Sequence, residues 1–299
     1  MERLMLIVNP VSGKGQVRGA LLDILTVFAA HGYAADVYLT QGRGDATAFA
    51  REQGADYPLV VCTGGDGTLS EVISGLVDLE KKPRLGYIPM GTANDVASTL
   101  HLSHTPAEAA KTAVTGREIP FDVGLLNGAH FSYVAAFGAF ADVSYTTPQG
   151  SKRALGHLAY ILEGIASLPS LHAIHAVVEC PGQEPVEGNF IFGAVTNSTS
   201  VAGLMKIDPD AVSLGDGEFE VILVRTPKSA AELGNITNAV LTRNFNHKNV
   251  LMLHTDRIRF TFDAPIAWTR DGENGGEHRV VEAENLYRRI RMMIPPDAE

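Results

Sequence analysis

The chain has 299 residues, of which 45% are hydrophobic and 19% charged, and its formal net charge is −10. This length is typical of about two domains, and the composition excludes a disordered chain. The acidic balance argues against a general nucleic-acid-binding protein, which needs a basic face, so we predict no nucleic-acid partner. The two cysteines, Cys62 and Cys180, exclude a disulfide framework and a cysteine-based zinc finger, and they favour a reducing compartment.

The apolar run near the N-terminus, Leu4 to Val8, is too short to span a bilayer, which takes ~20 apolar residues. It is not accompanied by a signal-peptide cleavage pattern. We therefore expect a cytoplasmic protein.

In the N-terminal part of the chain, short apolar strands alternate with amphipathic helices. Strands are predicted at 4–8, 35–40, 59–62 and 84–89, and helices at 16–31, 45–53, 69–79, 95–100 and 106–114. This alternation predicts an α/β domain with a parallel sheet and flanking helices.

After this region the pattern changes to short strands separated by turn residues. Strands are predicted at 123–126, 131–137, 174–180, 189–195, 219–224 and 257–263, and helices at 156–168 and 229–241. Such a pattern predicts a β-rich, sandwich-like domain. We therefore assign an α/β domain to 1–125 and a β-rich domain to 126–289, with 290–299 able to return to the first. The stretch 280–294 has no obvious domain of its own.

Three glycine-bearing turns, Asn9–Gly15, Gly64–Thr68 and Gly91–Asp95, each follow a predicted strand. The carboxyl ends of parallel strands form one edge of a sheet, where ligands bind. Glycine allows backbone N–H groups to approach phosphate oxygens, and a following helix N-terminus favours an anion. Asp66 and Asp95 add carboxylates, which suit a phosphate site if Mg²⁺ lies between carboxylate and phosphate.

Spacing excludes two better-known nucleotide motifs. The Walker pattern fails because Gly15 follows Lys14, and the dinucleotide fingerprint fails because Arg18 stands where its third glycine belongs. Each turn alone also fits a tight turn with a helix cap. Their joint occurrence on successive strands favours a phosphate-binding edge.

Together these turns resemble the catalytic domain of diacylglycerol and sphingosine kinases, and the length and layout resemble the soluble bacterial lipid kinases of that family. The resemblance is carried by Asn9-Pro10, Ser12-Gly13-Lys14-Gly15, Gly64-Gly65-Asp66-Gly67-Thr68-Leu69-Ser70-Glu71-Val72 and Gly91-Thr92-Ala93-Asn94-Asp95. NAD kinases and phosphofructokinases also use Gly-Gly-Asp-Gly turns, so the Gly-Thr-Ala-Asn-Asp element is the discriminating one.

The resemblance implies roles for the matching residues of the first domain. Residues that match ATP contacts are Asn9, Pro10, Ser12, Gly13, Thr40, Gly64, Gly65, Asp66, Gly67, Thr68, Glu71, Thr92 and Asn94. Lys14 and Arg18 resemble a basic pair near the transferring phosphate. Asp66, Asp95 and Asp122 resemble the acidic network that positions catalytic Mg²⁺, although an aspartate at position 122 also fits a strand-end cap.

A second-domain pattern, Pro209 to Glu220, matches a family signature whose loop holds a structural Mg²⁺. The resemblance assigns the ligands to the Asp216 carboxylate and to backbone carbonyls matching Ser213 and Glu218. By chemistry alone, Asp216-Gly217 is also typical of a hairpin turn.

The segment Asp271-Gly272-Glu273 resembles the late family motif whose glutamate is the proposed general base. By itself it also fits a surface turn. On an extended segment Asp271 would share a face with Glu273, so Asp271 is the alternative base.

These features imply an ATP- and Mg²⁺-dependent kinase that phosphorylates a lipid hydroxyl, with diacylglycerol as the expected acceptor, entering from a cleft between the domains. Two alternatives stay open: a soluble-metabolite kinase of the NAD-kinase type, and a non-catalytic nucleotide or lipid sensor. We expect transient peripheral contact with the membrane surface through Lys152-Arg153 and Arg288-Arg289-Arg291. The sequence also leaves a homodimer open.

Overall fold

The computed structural model describes residues 1–138, 173–198, 200–201, 205–206, 213–242 and 247–297. The chain divides into two compact units, the first comprising Met1–Val123 with Tyr287–Glu299, and the second Gly124–Leu286. The predicted helix at 156–168 and the basic pair Lys152-Arg153 lie outside the described residues. No helix within the described ranges is long and apolar enough to cross a membrane.

The first unit alternates strands with helices. Its elements are β1 (Glu2–Val8), α1 (Val17–Ala30), β2 (Tyr33–Leu39), α2 (Asp45–Gln53), β3 (Leu59–Gly64), α3 (Asp66–Leu76), β4 (Arg84–Pro89), α4 (Asp95–Thr99) and α5 (Pro106–Thr115), with 3-10 turns at Ser12–Gly15 and Gly54–Asp56. The strand order is β4-β3-β1-β2, and each of these neighbouring pairs is parallel. Arg291 and Met292 near the C-terminus pair in parallel with β4.

Burial of the strands accounts for the clear sequence pattern of this unit. The middle strands β1 and β3 are buried along almost their whole length, which fits apolar runs rather than alternation. Helix α1 buries Val17, Ile24 and Phe28 in the same cluster as the β1 and β3 side chains. Helix α3 begins at Asp66, three residues before the predicted start, because Gly65 is extended and leads directly into the helix.

The second unit is β-rich, as predicted. The elements from residue 117 onward are β5 (Arg117–Leu126), β6 (Ala129–Phe131), β7 (Val134–Gly138), β8 (Ile174–Glu179), β9 (Val186–Thr196), β10 (Ser200–Val201), β11 (Met205–Lys206), β12 (Phe219–Arg225), α6 (Ala230–Leu241), β13 (Val250–Thr255), β14 (Arg257–Arg270) and β15 (Glu273–Ile294). Strands pair in the order β13-β12-β9-β7-β14-β15, and β8 pairs with both β14 and β9. The pairings among β9, β7, β14 and β8 therefore form a closed circuit.

The core of the second unit is aromatic. The ring of Trp268 lies 4.9 Å from that of Phe137 and 5.2 Å from that of Phe260. Strand β14 extends seven residues beyond the predicted end at 263, because the register shifts between Thr261 and Ile266 and pairing then resumes. The stretch 280–294 is part of β15, whose residues from 273 to 284 pair with β14.

Candidate functional site

The first turn of the candidate phosphate site follows β1. Residues Ser12–Gly15 form a 3-10 turn before α1. Gly13 has φ +58°, and a Cβ there would lie 2.5 Å from the carbonyl oxygen of Met90. Glycine is therefore required both by the left-handed backbone and by the close approach of this turn to the end of β4.

Asn9 links the β1 turn to the start of α3. Its Nδ2 donates to Thr68 Oγ1 at 3.0 Å, and its Oδ1 accepts from the Val11 N–H at 3.2 Å. Its backbone N–H donates to the carbonyl of Thr63 at 3.0 Å. Asn9 and Thr68, both predicted ATP contacts, thus lie together. In this structure Asn9 also holds the backbone of its own turn.

The turns after β3 and β4 touch through glycine. A Cβ on Gly91 would lie 2.7 Å from the Cα of Gly65, so a side chain at Gly91 would force these backbones apart. Asn94, with φ +52°, closes the turn after β4. Its Oδ1 accepts the Gly91 N–H, and its Nδ2 donates to the Gly91 carbonyl. The three glycine turns therefore meet at the carboxyl edge of the parallel strands. Asn94, a predicted ATP contact, here stabilises its own turn.

Asp66 joins two of these turns through its carboxylate. It is only 8% exposed, and its oxygens accept the N–H of Asp95 at 3.2 Å and of Val96 at 3.3 Å. The carboxylate thus caps the start of α4, where the orphan N–H groups of a helix favour negative charge. Asp95 is itself buried, so two acidic residues adjoin at this edge. Neighbouring acids of this kind fit an oxygen-preferring divalent cation.

Asp122, the third member of the predicted acidic network, is fully buried in the first unit. Its Oδ1 accepts the backbone N–H of Arg288 at 2.6 Å, and Arg288 has φ +52°. Asp122 lies inside β5 (Arg117–Leu126), so the strand-end interpretation is wrong, and its carboxylate instead holds the backbone of Arg288. It fastens the chain at the point where β15 returns to the first unit.

Thr40 and Glu71 lie around the loop between β2 and α2. The Thr40 N–H donates to the carbonyl of Val8, and the Glu71 carboxylate accepts the Gly44 N–H at 3.0 Å. The remaining predicted contacts are spread over the same turns. Ser12 and Pro10 are half-buried, Gly64 ends β3, Gly67 lies in the first turn of α3, and Thr92 is exposed.

Of the predicted basic pair, Arg18 is exposed near the start of α1. Lys14 lies in the 3-10 turn, and its side chain is outside the described part of the structure.

In the second unit, Asp271 and Glu273 do not share the face of an extended strand, which corrects the expected geometry. Asp271 and Gly272 have φ +49° and +77° and form the two-residue turn between β14 and β15, whose ends Arg270 and Glu273 pair. Positive φ at both central residues is the signature of a type I′ hairpin.

The two carboxylates consequently have different surroundings. The Asp271 oxygens accept the N–H and hydroxyl of Ser132 at 2.7 and 2.8 Å, the Tyr133 N–H at 3.0 Å and the Val134 N–H at 3.2 Å. Glu273 is exposed at the start of β15. Asp271 therefore acts as an internal anchor of the turn, while Glu273 is exposed to solvent.

The predicted structural Mg²⁺ loop precedes β12. Asp216 Oδ1 accepts the Glu218 N–H at 3.0 Å, and the carbonyl of Glu218 accepts Asn285 Nδ2 at 3.1 Å. Ser213 is exposed. Among the described residues no three His, Cys, Asp or Glu side chains are grouped to hold a metal. The predicted ligand set includes only one such side chain, that of Asp216, with backbone carbonyls for the others.

Sequence reasoning missed one residue beside this loop. Glu220 in β12 is 1% exposed, and its Oε2 has no hydrogen-bond partner among the described residues. Burial raises the pKa of Glu220 to about 8, and the negative charges of Asp216 and Glu218 add to the shift. A glutamate inside the apolar strand Phe219–Arg225 is the signal that could have identified it.

Two family models match the chain. The diacylglycerol kinase catalytic domain matches residues 3–126, and the YegS C-terminal NAD kinase beta sandwich-like domain matches residues 134–290. An NAD kinase from Archaeoglobus fulgidus, solved with ATP, is similar in fold alone, with 12% identity, a TM-score of 0.55 and coverage of 98% of this chain and 93% of that one.

Full-length relatives agree with these matches. The diacylglycerol kinase of Bacillus subtilis strain 168 is 33% identical over 99% of this chain and 98% of its own. The diacylglycerol kinase of Staphylococcus aureus strain MRSA252 is 35% identical over 99% of this chain and 93% of its own. A crystal structure from Bacillus anthracis strain Sterne, assigned as a diacylglycerol kinase, has a TM-score of 0.85 at 27% identity and covers 100% of this chain and 97% of its own. The chain therefore belongs to the diacylglycerol kinase family.

Proposed function

We propose that this protein is an ATP- and Mg²⁺-dependent lipid kinase that transfers the γ-phosphoryl group to a lipid hydroxyl, with diacylglycerol as acceptor and phosphatidic acid as product. The proposal rests on the family, whose relatives are named diacylglycerol kinase, and on one observation in particular. That observation is the different surroundings of Asp271 and Glu273.

The nucleotide part of the proposal is supported by the meeting of the three glycine turns. Backbone N–H groups at close-packed Gly65 and Gly91, and in the turn around Gly13, are suited to phosphate oxygens. Lys14 and Arg18 follow the first turn and would supply positive charge toward the transferring phosphoryl group. Asp66 and Asp95 are the residues that would hold Mg²⁺. When bound, Mg²⁺ neutralises the charge that develops on the phosphoryl oxygens.

The acceptor part of the proposal depends on Glu273. A general base must accept the proton of the attacking hydroxyl, and it must be accessible to that hydroxyl. The Asp271 carboxylate is buried and already accepts four hydrogen bonds from residues 132–134. We therefore assign the base to Glu273, which the turn presents to solvent, and assign Asp271 to positioning that turn.

The alternative function is a soluble-metabolite kinase, and the observation that favours it is the similarity in fold to an NAD kinase. The two functions differ in where the acceptor resides. A diacylglycerol kinase acts on a bilayer-resident substrate and therefore touches a membrane surface during turnover, whereas an NAD kinase needs no vesicle.

Phosphoryl transfer from γ-labelled ATP tests the proposal. Purified protein is incubated with Mg²⁺ and either diacylglycerol-containing vesicles, vesicles without diacylglycerol, or NAD in solution. We expect labelled phosphatidic acid in the first reaction only. Labelled NADP without vesicles would replace the proposal with this alternative function, and nucleotide binding without transfer to either acceptor would favour a sensor.

A further inference from the structure

Tyr87 places a hydroxyl group inside the first unit. It lies in β4 and is 1% exposed. The hydroxyl donates to the carbonyl of Gly64 and to Asn94 Oδ1, each at 3.3 Å. A buried phenol usually has a hydrogen-bond partner, so the presence of partners is ordinary. The place of these two acceptors in the fold is what gives Tyr87 a role.

The two acceptors belong to different glycine turns of the candidate phosphate site. Gly64 ends β3 and begins the turn that leads to Asp66, whereas Asn94 closes the turn after β4. The Tyr87 hydroxyl therefore links the two turns. Asp66 supplies a second link between them, because its carboxylate accepts the N–H of Asp95 at 3.2 Å. The relative position of the turns thus depends on two side chains.

The two acceptors depend on Tyr87 to different extents. The Gly64 carbonyl also accepts the Met90 N–H at 2.7 Å, a main-chain bond that does not need the hydroxyl. Asn94 Oδ1 also accepts the Gly91 N–H at 2.9 Å, but Asn94 has φ +52°. A residue other than glycine keeps this left-handed conformation only where its surroundings hold it. Loss of the hydroxyl should therefore act mainly on Asn94.

A change at Asn94 is passed directly to Asp95. Asn94 is the residue before α4, which begins at Asp95, and both residues are buried. Asp95 and Asp66 are the acids that we propose hold Mg²⁺. Phosphoryl transfer depends on positioning, and a displacement of about 1 Å far from the reacting atoms can cost ~10²-fold in rate. The arrangement of these acids should therefore be sensitive to the Tyr87 hydroxyl.

We propose that Tyr87 is a positioning residue of the nucleotide site. Through Asn94, its hydroxyl holds the turns after β3 and β4 in the arrangement that aligns Asp66 and Asp95. The side chain is buried and its hydroxyl is bound to protein atoms, so its role is to hold these turns and not to contact ATP. The inference rests on the proposed use of ATP and Mg²⁺, and it does not depend on the acceptor.

Tyr87→Phe, which removes only the hydroxyl, tests the assignment, and Tyr57→Phe is the matched control. Tyr57 is another buried tyrosine of the first unit, and its hydroxyl oxygen lies 3.1 Å from that of Tyr38. It precedes the amino end of β3, whereas the glycine turns follow the carboxyl ends of β3 and β4. Calorimetric titration with adenylyl imidodiphosphate and MgCl₂ measures nucleotide affinity. Steady-state kinetics with diacylglycerol vesicles and thermal melts complete the comparison.

Both variants should melt at a somewhat lower temperature than the wild type, because each loses one buried hydroxyl group. Only Tyr87→Phe should weaken binding of the analogue, by about fivefold or more, and lower kcat by about tenfold or more. The KM for diacylglycerol should not change in either variant. A role confined to packing would not separate the two tyrosines in this way.

A double-mutant cycle with Asn94→Gly tests whether Tyr87 acts through Asn94. Glycine accepts the left-handed backbone and removes the amide that receives the hydroxyl. In the Asn94→Gly protein, Tyr87→Phe should change the affinity for the analogue by less than about twofold, because the effects of coupled residues are not additive. Additive losses would overturn the inference, as would wild-type affinity in Tyr87→Phe or an equal loss of affinity in Tyr57→Phe.

Failure of the proposed function would give a different result. A wild-type protein that binds the analogue but transfers no phosphoryl group from ATP to diacylglycerol would refute the lipid kinase. The calorimetric comparison of Tyr87→Phe with Tyr57→Phe would still decide the role of Tyr87 in that case. A wild-type protein without nucleotide affinity would overturn both proposals.

Discussion

The carboxylate of Asp271 accepts both the backbone N–H and the side-chain hydroxyl of Ser132, at 2.7 and 2.8 Å. These residues are 139 positions apart in the chain. The contact ties the β14–β15 turn to the segment before β7. Glu273, the residue that follows this turn, is exposed.

This relationship predicts that replacing Asp271 and replacing Glu273 have different effects, one on stability and the other on catalysis. Glu273→Gln should lower kcat by ~10²–10⁴-fold, the range for losing a positioned base, with stability and nucleotide affinity nearly unchanged. Asp271→Asn should instead lower the free energy of unfolding by about 1.5–3 kcal/mol, because a neutral amide cannot replace a carboxylate that accepts four hydrogen bonds. Steady-state kinetics and urea unfolding of both variants separate the two effects. Full activity in Glu273→Gln together with an inactive but stable Asp271→Asn would reverse the assignment.

Asp66→Asn should abolish turnover and also weaken the start of α4. The asparagine retains one acceptor oxygen and presents an NH₂ to an N–H of Asp95 or Val96. We expect a loss of about 1 kcal/mol in the free energy of unfolding, as for a lost helix cap, alongside the loss of kcat. Asp78→Asn, an exposed acid of the same unit, is the control and should change neither quantity. A folded Asp66→Asn enzyme with the wild-type rate would exclude a catalytic role for Asp66.

Two glycines of neighbouring segments should respond in opposite ways to alanine. Gly13→Ala places a Cβ against the Met90 carbonyl at a positive φ, so we expect a loss of about 1–3 kcal/mol of stability and weaker nucleotide binding. Gly19 lies in α1, and a Cβ there would meet no heavy atom within 4 Å, so Gly19→Ala should raise stability by about 0.5–1 kcal/mol. Thermal melts and ATP titrations compare them. Equal effects of the two substitutions would refute the close approach at Gly13.

Acid sensitivity should depend in part on Glu232. Its carboxylate binds Lys248 Nζ at 2.8 Å and the Lys228 N–H at 2.7 Å, and these contacts lower its pKa to about 2. In the unfolded chain a glutamate titrates near ~4.3. The ionised Glu232 carboxylate therefore adds to the free energy of unfolding above pH ~4.3, and this contribution is lost as the pH falls toward 2.

Urea unfolding from about pH 6 to about pH 2.5 checks this expectation, because the window brackets the titration of an unfolded glutamate. At the highest pH of this range, Glu232→Gln should have a lower free energy of unfolding than the wild type. The difference between the two proteins should become smaller as the pH falls. Glu184→Gln, at an exposed position, provides the baseline. A constant gap across this range would show that the charge of Glu232 is irrelevant to folding.

Membrane contact through the basic cluster near the C-terminus should depend on Arg289. Arg288 stacks on Tyr287 at 4.6 Å, and Arg291 contacts the Lys82 carbonyl and Glu118. Arg289 is exposed, and its charge contributes to lowering the pKa of Lys82 after the larger effect of burial, so the two cations are neighbours.

Arg289→Glu should therefore reduce cosedimentation with anionic vesicles at low salt by about fivefold or more, since each cation near such a surface contributes ~1 kcal/mol. Arg51→Glu makes the same change of net charge at an exposed position of α2 and should have a smaller effect. Equal binding to neutral and anionic vesicles would count against an electrostatic contact.

Local features of the fold and the site can be predicted from the chain alone. Apolar runs such as Leu4–Val8 predict buried strands, and the glycine turns predict where backbone can approach phosphate, because burial on both faces and positive φ constrain residue types within a few positions. The family follows from the same short motifs, and the matches over residues 3–126 and 134–290 confirm it.

The separate roles of the acids, in contrast, come from contacts between distant segments. The sequence leaves Asp271 open as an alternative to Glu273 as the base. The surroundings of the two acids differ because Ser132 and its neighbours, from a distant part of the chain, donate hydrogen bonds to Asp271. Glu220 is one polar residue in an apolar strand of the sequence, and only the fold shows that it is buried. Hydrogen-bond partners and desolvation are set by contacts between residues far apart in the chain, and no local pattern specifies them.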